Sequence, residues 1–226
     1  NGDNTTVEAE IANRTDAVLT TVAGNEAAIG YVSLGSLNDT VKAVTVDGVE
    51  ATVDNVKSGD YTLSRPFNIA TKGEPTGVAA DFIGFIMSAD GQAIVGEDYI
   101  TVNDNAEAFT SDGSSGHITV GGSSSVSPVM EQLIEAYKAV NPNAQIDLQT
   151  SDSTSGMTGA MDGTFAIGMA SRELKDEEAA ELTGTAIALD GIAVVVNPAN
   201  TVEDLTMDQI RSIYVGETTD WADVAA

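Results

Sequence analysis

The sequence predicts an α/β fold with a mostly parallel sheet, and three observations support this. Short apolar runs typical of strands alternate with segments of helical periodicity. Apolar residues make up 42% of the 226 residues, and 22 glycines supply tight turns. The sequence shows no repeat of 20 to 50 residues, which argues against a repeat architecture.

Composition and charge argue against several functional classes. The chain has 35 acidic and 9 basic residues, a net charge of −26, and no cysteine. We expect no nucleic-acid partner, because binding the phosphate backbone needs clustered Lys and Arg. Without cysteine there is no disulfide, thiol nucleophile or cysteine-ligated metal. The acidic stretches lack calcium-loop spacing and no Ser/His/Asp signature is present, so we expect no cofactor and no catalytic triad.

The first half of the chain is predicted to contain one hairpin and one long helix. Asp47 and Gly48 lie between apolar runs at residues 41–46 and 49–53, which favours a type I′ hairpin. Apolar residues at helical spacing predict a single helix over residues 78–95. The other predicted elements are a helix over 16–23, with Thr15 as its cap, and strands over 28–34 and 66–71.

The second half alternates strands and helices after a connector. Residues 102–116 are polar and rich in Gly and Ser, which predicts irregular structure. The predicted strands cover 118–120, 145–149, 166–169 and 186–197, and the predicted helices 126–140, 157–161, 175–182 and 205–214. Thr206 and Gln209 form a capping box for the last helix, and Gly216 ends it.

Two strand–loop–helix segments carry the candidate chemistry. The loops at residues 121–127 and 151–156 are rich in Gly, Ser and Thr. A helix start leaves backbone N–H groups unpaired and carries partial positive charge, so it favours an oxyanion. The candidate anion-binding residues are Ser124, Ser125, Thr154, Ser155 and Gly156. Each hydroxyl also has a simpler explanation as a helix N-cap.

Two further polar residues have open roles. Arg172 follows the strand over 166–169 and could contact an anion, although pairing with Glu173 or Asp176 is the favoured interpretation. His117 is the only histidine and lies beside the Gly/Ser-rich connector. We expect it to be exposed rather than catalytic.

From His117 onward, five segments follow one another in order: ITVGGSSSVSPVMEQLIEAY, QTSDSTSGM, AIGMASREL, ALDGIAVVVNP and LTMDQIRSIYVGETTDW. In this order and spacing they resemble the phosphate-binding proteins of bacterial ABC phosphate importers. Three segments before them, TDAVLTTVAGNEAAIGYVSLGSL, LSRPFNIATKG and FIGFIMSADGQAIV, resemble the C-terminal half of that family. The chain is therefore similar to a circularly permuted member, and we expect the family's Arg and Ser-Gly-Thr loop in a segment preceding Asn1.

The resemblance implies a two-lobed, type II periplasmic-binding-protein-like fold in permuted order. One lobe would combine residues 75–103 with 117–197, and the other residues 1–74 with 198–226. Residues 104–116 would be the connector between the former termini.

The resemblance also assigns site residues. Ser124 and Ser125 match the first phosphate loop of the family, and residues 154–156 match the second. Ser171 falls where many members have an Asp that accepts a hydrogen bond from protonated phosphate, and Arg172 follows it. Asp152 is close enough in sequence to be a substitute acceptor.

The implied function is capture of inorganic phosphate for an ABC permease by a monomer outside the cytoplasm. The protein would be a surface lipoprotein, periplasmic or secreted. One alternative is another tetrahedral oxyanion, such as sulfate or molybdate. A second is a surface sensor or adhesive protein without transport, and a phosphatase is the third.

Overall fold

The computed structural model describes residues 5–224 and divides the chain into two compact units. Unit 1 consists of the chain up to Leu63 and from Gly191 onward, and unit 2 is Ser64–Asp190. The chain thus crosses between the units twice, at residues 63–64 and 190–191. The predicted boundaries, at 74–75 and 197–198, lie in the loops that follow two strands. The crossings lie earlier, one at the start of the strand over residues 64–71 and one within the strand over residues 183–196.

The elements within residues 5–224 follow in chain order. They are α1 (Thr15–Gly24), β1 (Ile29–Ser33), β2 (Lys42–Ala43), β3 (Thr45–Val46), α2 (Val53–Ser58), β4 (Ser64–Thr71), α3 (Val78–Ile86), α4 (Ala89–Asp98), β5 (Gly116–Ser123), α5 (Ser127–Val140), β6 (Ala144–Ser151), α6 (Ser153–Asp162), β7 (Ile167–Ala170), α7 (Asp176–Ala179), β8 (Thr183–Val196), β9 (Asp204–Leu205) and α8 (Met207–Val215).

The sheet of unit 2 is mixed. Its strand order is β8–β4–β7–β5–β6. β5 is parallel to both β6 and β7, whereas β4 is antiparallel to β7. The prediction of a mostly parallel sheet is therefore correct only for the three strands joined through α5 and α6. A crossover helix returns the chain to the same edge and so produces parallel pairing.

The core of unit 2 lies where α3 and α5 pack on the sheet. Tyr137 of α5 is fully buried, with its ring centroid 5.0 Å from that of Phe82 and 5.6 Å from that of Phe85. The buried face of α5 also includes Val129, Met130, Leu133 and Ile134. The apolar residues whose periodicity predicted this helix therefore form the face that packs in the core.

The predicted single helix over residues 78–95 is wrong, because α3 and α4 are separate helices that meet at 57°. Ser88 begins α4 by accepting a hydrogen bond from the Gly91 N–H at 3.3 Å. It also donates to the Phe85 carbonyl at 2.7 Å. A single helix would place Ala89 and Ala93 on the same buried stripe as Phe82 and Phe85, but both alanines are exposed. No single helix among residues 5–224 is long and apolar enough to cross a membrane. Helices α3 and α4 reach that length and hydropathy only when they are counted together.

Residues 104–115 contain neither helix nor strand and belong to unit 2. The connector is nevertheless attached to the core through the buried carboxylate of Asp81. This carboxylate accepts hydrogen bonds from the Ser111 hydroxyl at 2.6 Å, the Asp112 N–H at 3.0 Å and the Tyr137 hydroxyl at 2.6 Å. Burial acts to raise the pKa of Asp81, but these hydrogen bonds outweigh it and lower the pKa.

Unit 1 pairs β1 and β2 antiparallel with the second half of β8, and β3 parallel with β9. The predicted turn is present, since Asp47 and Gly48 both have positive φ, at 51° and 75°. The prediction of a second hairpin strand over residues 49–53 is wrong. Thr52 instead caps α2 by accepting the Asn55 N–H at 3.2 Å, and β3 takes β9 as its partner.

The ends of the other helices differ from the predicted ones by a few residues, although the capping residues predicted for α8 are present. Thr206 and Gln209 form the predicted capping box, with bonds of 3.2 and 2.8 Å, and Gly216 ends α8 with φ of 80°. Thr15 is the first residue of α1, whose N-cap is Arg14, so the predicted cap is wrong. Helix α6 is longer than the predicted 157–161, and α7 is shorter than 175–182.

Candidate functional site

Three parallel strands of unit 2 end at the same edge of the sheet. In the register of β5 with β6, Ser123 lies opposite Ser151, and in the register of β5 with β7, Gly122 lies opposite Met169. The residues that follow these strands therefore gather at this edge. The first two of the three are the strand–loop–helix segments that the sequence singled out.

Three serine hydroxyls meet at this edge, and we call Ser123, Ser153 and Ser171 the serine cluster. The Ser123 hydroxyl donates to Ser171 Oγ at 3.0 Å, and the Ser171 N–H donates to Ser153 Oγ at 3.1 Å. Ser153 Oγ and Ser171 Oγ are 3.5 Å apart. Ser123 is buried, while Ser153 and Ser171 are partly exposed. Hydroxyl donors are thus concentrated where an oxyanion would meet the start of α6.

Only Ser171 of this cluster was a predicted site residue. Ser123 was missed because it is the last residue of a strand rather than part of a helix start. Ser153 was missed because the predicted helix began four residues later. Recognising Asp152 as an N-cap would have placed Ser153 in the first turn.

The start of α6 is capped by Asp152. Its Oδ1 accepts the Ser155 N–H at 2.9 Å, and its Oδ2 accepts the Ser155 hydroxyl at 2.7 Å. Burial acts to raise the pKa of Asp152, but the hydrogen bonds from Ser155 outweigh it and lower the pKa. Each oxygen of the carboxylate that the sequence offered as a substitute acceptor thus accepts one hydrogen bond from Ser155, and the Ser155 hydroxyl is directed to Asp152.

The N-cap explanation for the predicted site residues does not hold at either helix. The N-cap of α5 is Val126, without a side-chain cap, so neither Ser124 nor Ser125 caps this helix. Both serines are partly exposed in the loop between β5 and α5, and the Ser124 N–H donates to the Ser151 carbonyl at 2.9 Å. Thr154 lies in the first turn of α6, after the cap.

Arg172 forms a two-pronged ion pair with Glu178, at 2.7 and 2.8 Å. The favoured partners from sequence, Glu173 and Asp176, are therefore wrong as carboxylate partners. Glu178 is directed back toward the helix start, where it accepts the Lys175 N–H at 2.8 Å. The Arg172 hydrogen bond lowers the pKa of Glu178, and the same bond raises the pKa of Arg172. One Arg172 nitrogen also lies 3.4 Å from Thr154 Oγ1.

Two glycines bring α6 directly against the strand ends. A Cβ on Gly122, where φ is 138°, would lie 2.3 Å from the Met169 carbonyl oxygen and 2.9 Å from Gly156 Cα. A Cβ on Gly156 would lie 2.6 Å from the same carbonyl. Gly156, predicted as a phosphate-loop residue, is buried here and permits this close packing.

Thr154 and Ser155 also line an open groove of about 480 Å³. Its other lining residues are Asp152, Thr158, Gly159, Asp162, Thr164 and Phe165, and none belongs to the serine cluster. His117 is exposed, as expected, with Nε2 at 2.9 Å from the Asp147 carboxylate. Within residues 5–224, no group of three or more His, Asp or Glu residues is arranged to hold a metal.

Comparison with known proteins places the chain in a family. Residues 107–226 match the profile of the PBP superfamily domain. The phosphate-binding protein PstS 2 of Streptococcus agalactiae is 49% identical over 225 residues, which is 99% of this chain and 77% of that protein. The PstS 2 protein of Streptococcus pneumoniae is 46% identical over 220 residues, covering 97% and 76%.

A solved structure agrees with the sequence comparison. The crystal structure of the phosphate-binding protein of a phosphate ABC transporter from S. pneumoniae aligns with a TM-score of 0.75 at 45% identity. The alignment covers 98% of this chain and 87% of that one. The chain therefore belongs to the PstS family of phosphate-binding proteins, which have the two-lobed periplasmic-binding-protein fold.

Proposed function

We propose that the chain captures inorganic phosphate outside the cytoplasm and passes it to an ABC permease, without chemical conversion. The names of its relatives support both the ligand and the transporter. The observation that carries the proposal is the serine cluster at the edge where β5, β6 and β7 end. Ser124, Ser125, Ser153 and Ser171 would contact the anion. The protein would act as a monomer, either lipid-anchored, periplasmic or secreted.

Neutral donors suit an anion that leaves water. Hydroxyls and helix-start dipoles stabilise negative charge without bringing a counter-ion that must itself be desolvated. Arg172 is already paired with Glu178, so we propose that it orients the first turn of α6 through Thr154 rather than neutralising phosphate. This interpretation revises the sequence-based role of Arg172.

Sulfate is a second candidate ligand, favoured by one observation. The two oxygens of Asp152 already accept hydrogen bonds from Ser155, and the serine cluster itself contains no carboxylate. A site whose acceptors for a ligand hydroxyl are serine oxygens, which can also turn to donate, discriminates only weakly against an oxyanion without a proton. Selectivity for phosphate would then have to come from residues outside the serine cluster.

Titration calorimetry with phosphate and with sulfate tests the ligand. We expect saturable heat with phosphate, and a loss of affinity of about tenfold or more in Ser171→Ala, because hydrogen bonds to charged groups contribute about 1.5–3 kcal/mol. Ser58→Ala, an exposed serine of unit 1, is the matched control and should bind like the parent protein. Heat with sulfate and none with phosphate would overturn the phosphate assignment.

Transport is tested separately from binding. We expect the protein, expressed together with its permease, to restore growth of an uptake-deficient strain on limiting phosphate. The Ser171→Ala variant should restore growth only at higher phosphate. Tight phosphate binding with no restored uptake would favour a surface sensor instead.

We also propose that the chain is a circular permutant whose two units correspond to the family lobes. The profile match begins at residue 107, inside the stretch without helix or strand. Residues 7–103 resemble the C-terminal half of the family and residues 117–224 the half that normally precedes it, and this order supports the permutation. The connector would then be the junction of the former termini, anchored by Asp81.

A further inference from the structure

We infer that Ser123 is a positioning residue that holds the Ser171 hydroxyl as a donor toward the bound oxyanion. This inference rests on the proposed function. Ser123 is only 3% exposed and lies at the end of β5. Its hydroxyl donates to Ser171 Oγ at 3.0 Å. Ser123 therefore acts on the ligand through Ser171.

The numbers of donors and acceptors on Ser123 and Ser171 determine where the hydroxyl hydrogen of Ser171 can point. A serine hydroxyl has one hydrogen and two lone pairs. Because Ser171 Oγ accepts the Ser123 hydrogen, the hydrogen of Ser171 is left for another acceptor. Ser153 Oγ is one such acceptor, but its separation of 3.5 Å from Ser171 Oγ is long for an O–H···O bond. An oxyanion oxygen at about 2.7 Å is a far better acceptor.

The backbone around this pair is held rigidly. The Ser171 N–H is bonded to Ser153 Oγ at 3.1 Å, and Ser127 Oγ is 3.3 Å from the Ser123 carbonyl. Gly122 packs so closely against the Met169 carbonyl that a Cβ would lie 2.3 Å from it. This close packing limits movement at the end of β5. The Ser123 hydroxyl therefore stays directed at Ser171 Oγ.

The neighbouring charged groups have other partners. The Asp152 oxygens accept the N–H and hydroxyl of Ser155, and the guanidinium of Arg172 is bound to Glu178. Ser123 is thus the group whose hydrogen bond decides how Ser171 meets a ligand. Without it, the Ser171 hydroxyl would be free to turn away from the ligand.

A double-mutant cycle measured by calorimetry with inorganic phosphate tests this inference. We expect Ser123→Ala to weaken phosphate binding by about fivefold, the effect of one ordinary hydrogen bond. Ser171→Ala should weaken it at least as much. Adding Ser123→Ala to Ser171→Ala should cause no further loss, because Ser123 would act only through Ser171.

Ser88→Ala is the matched control, since Ser88 is a buried serine of unit 2 that caps α4. It should lower the melting temperature and leave phosphate affinity unchanged. If Ser123→Ala fails to fold, Ser123→Cys, with its weak donor, should show a partial loss of affinity. Additive losses in the double variant, or unchanged affinity in a folded Ser123 variant, would overturn the inference. Absence of phosphate binding by the parent protein would instead refute the proposed function.

Discussion

Arg172 and Glu178 show how single residues set the electrostatics of the candidate site. The Glu178 side chain is 4% exposed and that of Arg172 29% exposed, so the pair is only partly screened by water. Glu178 also accepts the backbone N–H of Lys175. The same carboxylate therefore neutralises Arg172, which directly follows Ser171 of the serine cluster, and supports the start of α7.

Glu178→Gln should lower the free energy of unfolding at pH 7 by about 2 kcal/mol, because the partly buried guanidinium loses its ionic partner. The pKa of Glu178 is lower in the folded protein than its unfolded value of about 4.3. Its stabilisation is therefore complete above that pH and is lost as the pH falls through the folded pKa.

Urea denaturation at pH 7 and at about pH 3 measures this change. The difference between the parent protein and Glu178→Gln should shrink in acid. Glu181→Gln, an exposed position beyond the same helix, should stay within about 0.5 kcal/mol of the parent protein. An equal loss in both variants, or a difference that does not depend on pH, would contradict the assigned role of the ion pair.

At the scale of elements, the bend between α3 and α4 depends on two small residues. Ser88 supplies the cap that starts α4, and Gly91 lies under the last turn of α3. A Cβ at Gly91 would lie 2.2 Å from the Phe85 carbonyl oxygen and 2.6 Å from that of Ile86. These contacts are with backbone, which has little freedom to move aside.

Gly91→Ala should therefore destabilise the protein by about 2 kcal/mol, as overpacking of a core does. Gly84→Ala is its matched control, because Gly84 lies in α3 and its nearest neighbour would be the Phe109 ring at 3.7 Å. That substitution should be neutral or stabilise the protein by up to about 1 kcal/mol. Thermal melts of both variants measure the difference, and shifts of the same sign would contradict the close approach of the two helices.

For the whole molecule, the net charge of −26 opposes both compactness and capture of an anion. The Debye length falls from about 30 Å at 0.01 M salt to about 10 Å at 0.1 M. Distant surface carboxylates are therefore largely screened at physiological ionic strength. Fixed dipoles and hydroxyls within a few ångströms of the ligand then decide its binding.

Raising sodium chloride over that range should raise the melting temperature at pH 7, because screening relieves repulsion that is stronger in the compact state. Near the isoelectric point of about 4.1 the net charge vanishes, and the same salt change should have little effect. Scanning calorimetry at the two pH values measures this. A melting temperature that falls with salt at pH 7 would mean that specific ion pairs outweigh the overall repulsion.

Local sequence signals sufficed for elements whose residues contact their own neighbours. The apolar face of α5, the capping box of α8 and the positive φ at Asp47 and Gly48 each depend on positions a few residues apart. The resemblance likewise identified the family from segments that are continuous in the chain. Composition alone could suggest an anion site at two loops but could not say which hydroxyls meet.

The tertiary structure decided the rest, because the decisive partners are far apart in the chain. Ser123 and Ser171 are separated by 48 positions, and Ser153 and Ser171 by 18. The pairing of β3 with β9, which replaced the predicted hairpin strand, joins residues about 160 positions apart. Local sequence signals therefore predict the helices, turns and caps that are stabilised by contacts a few residues apart, whereas the packing of those segments determines which side chains share a site.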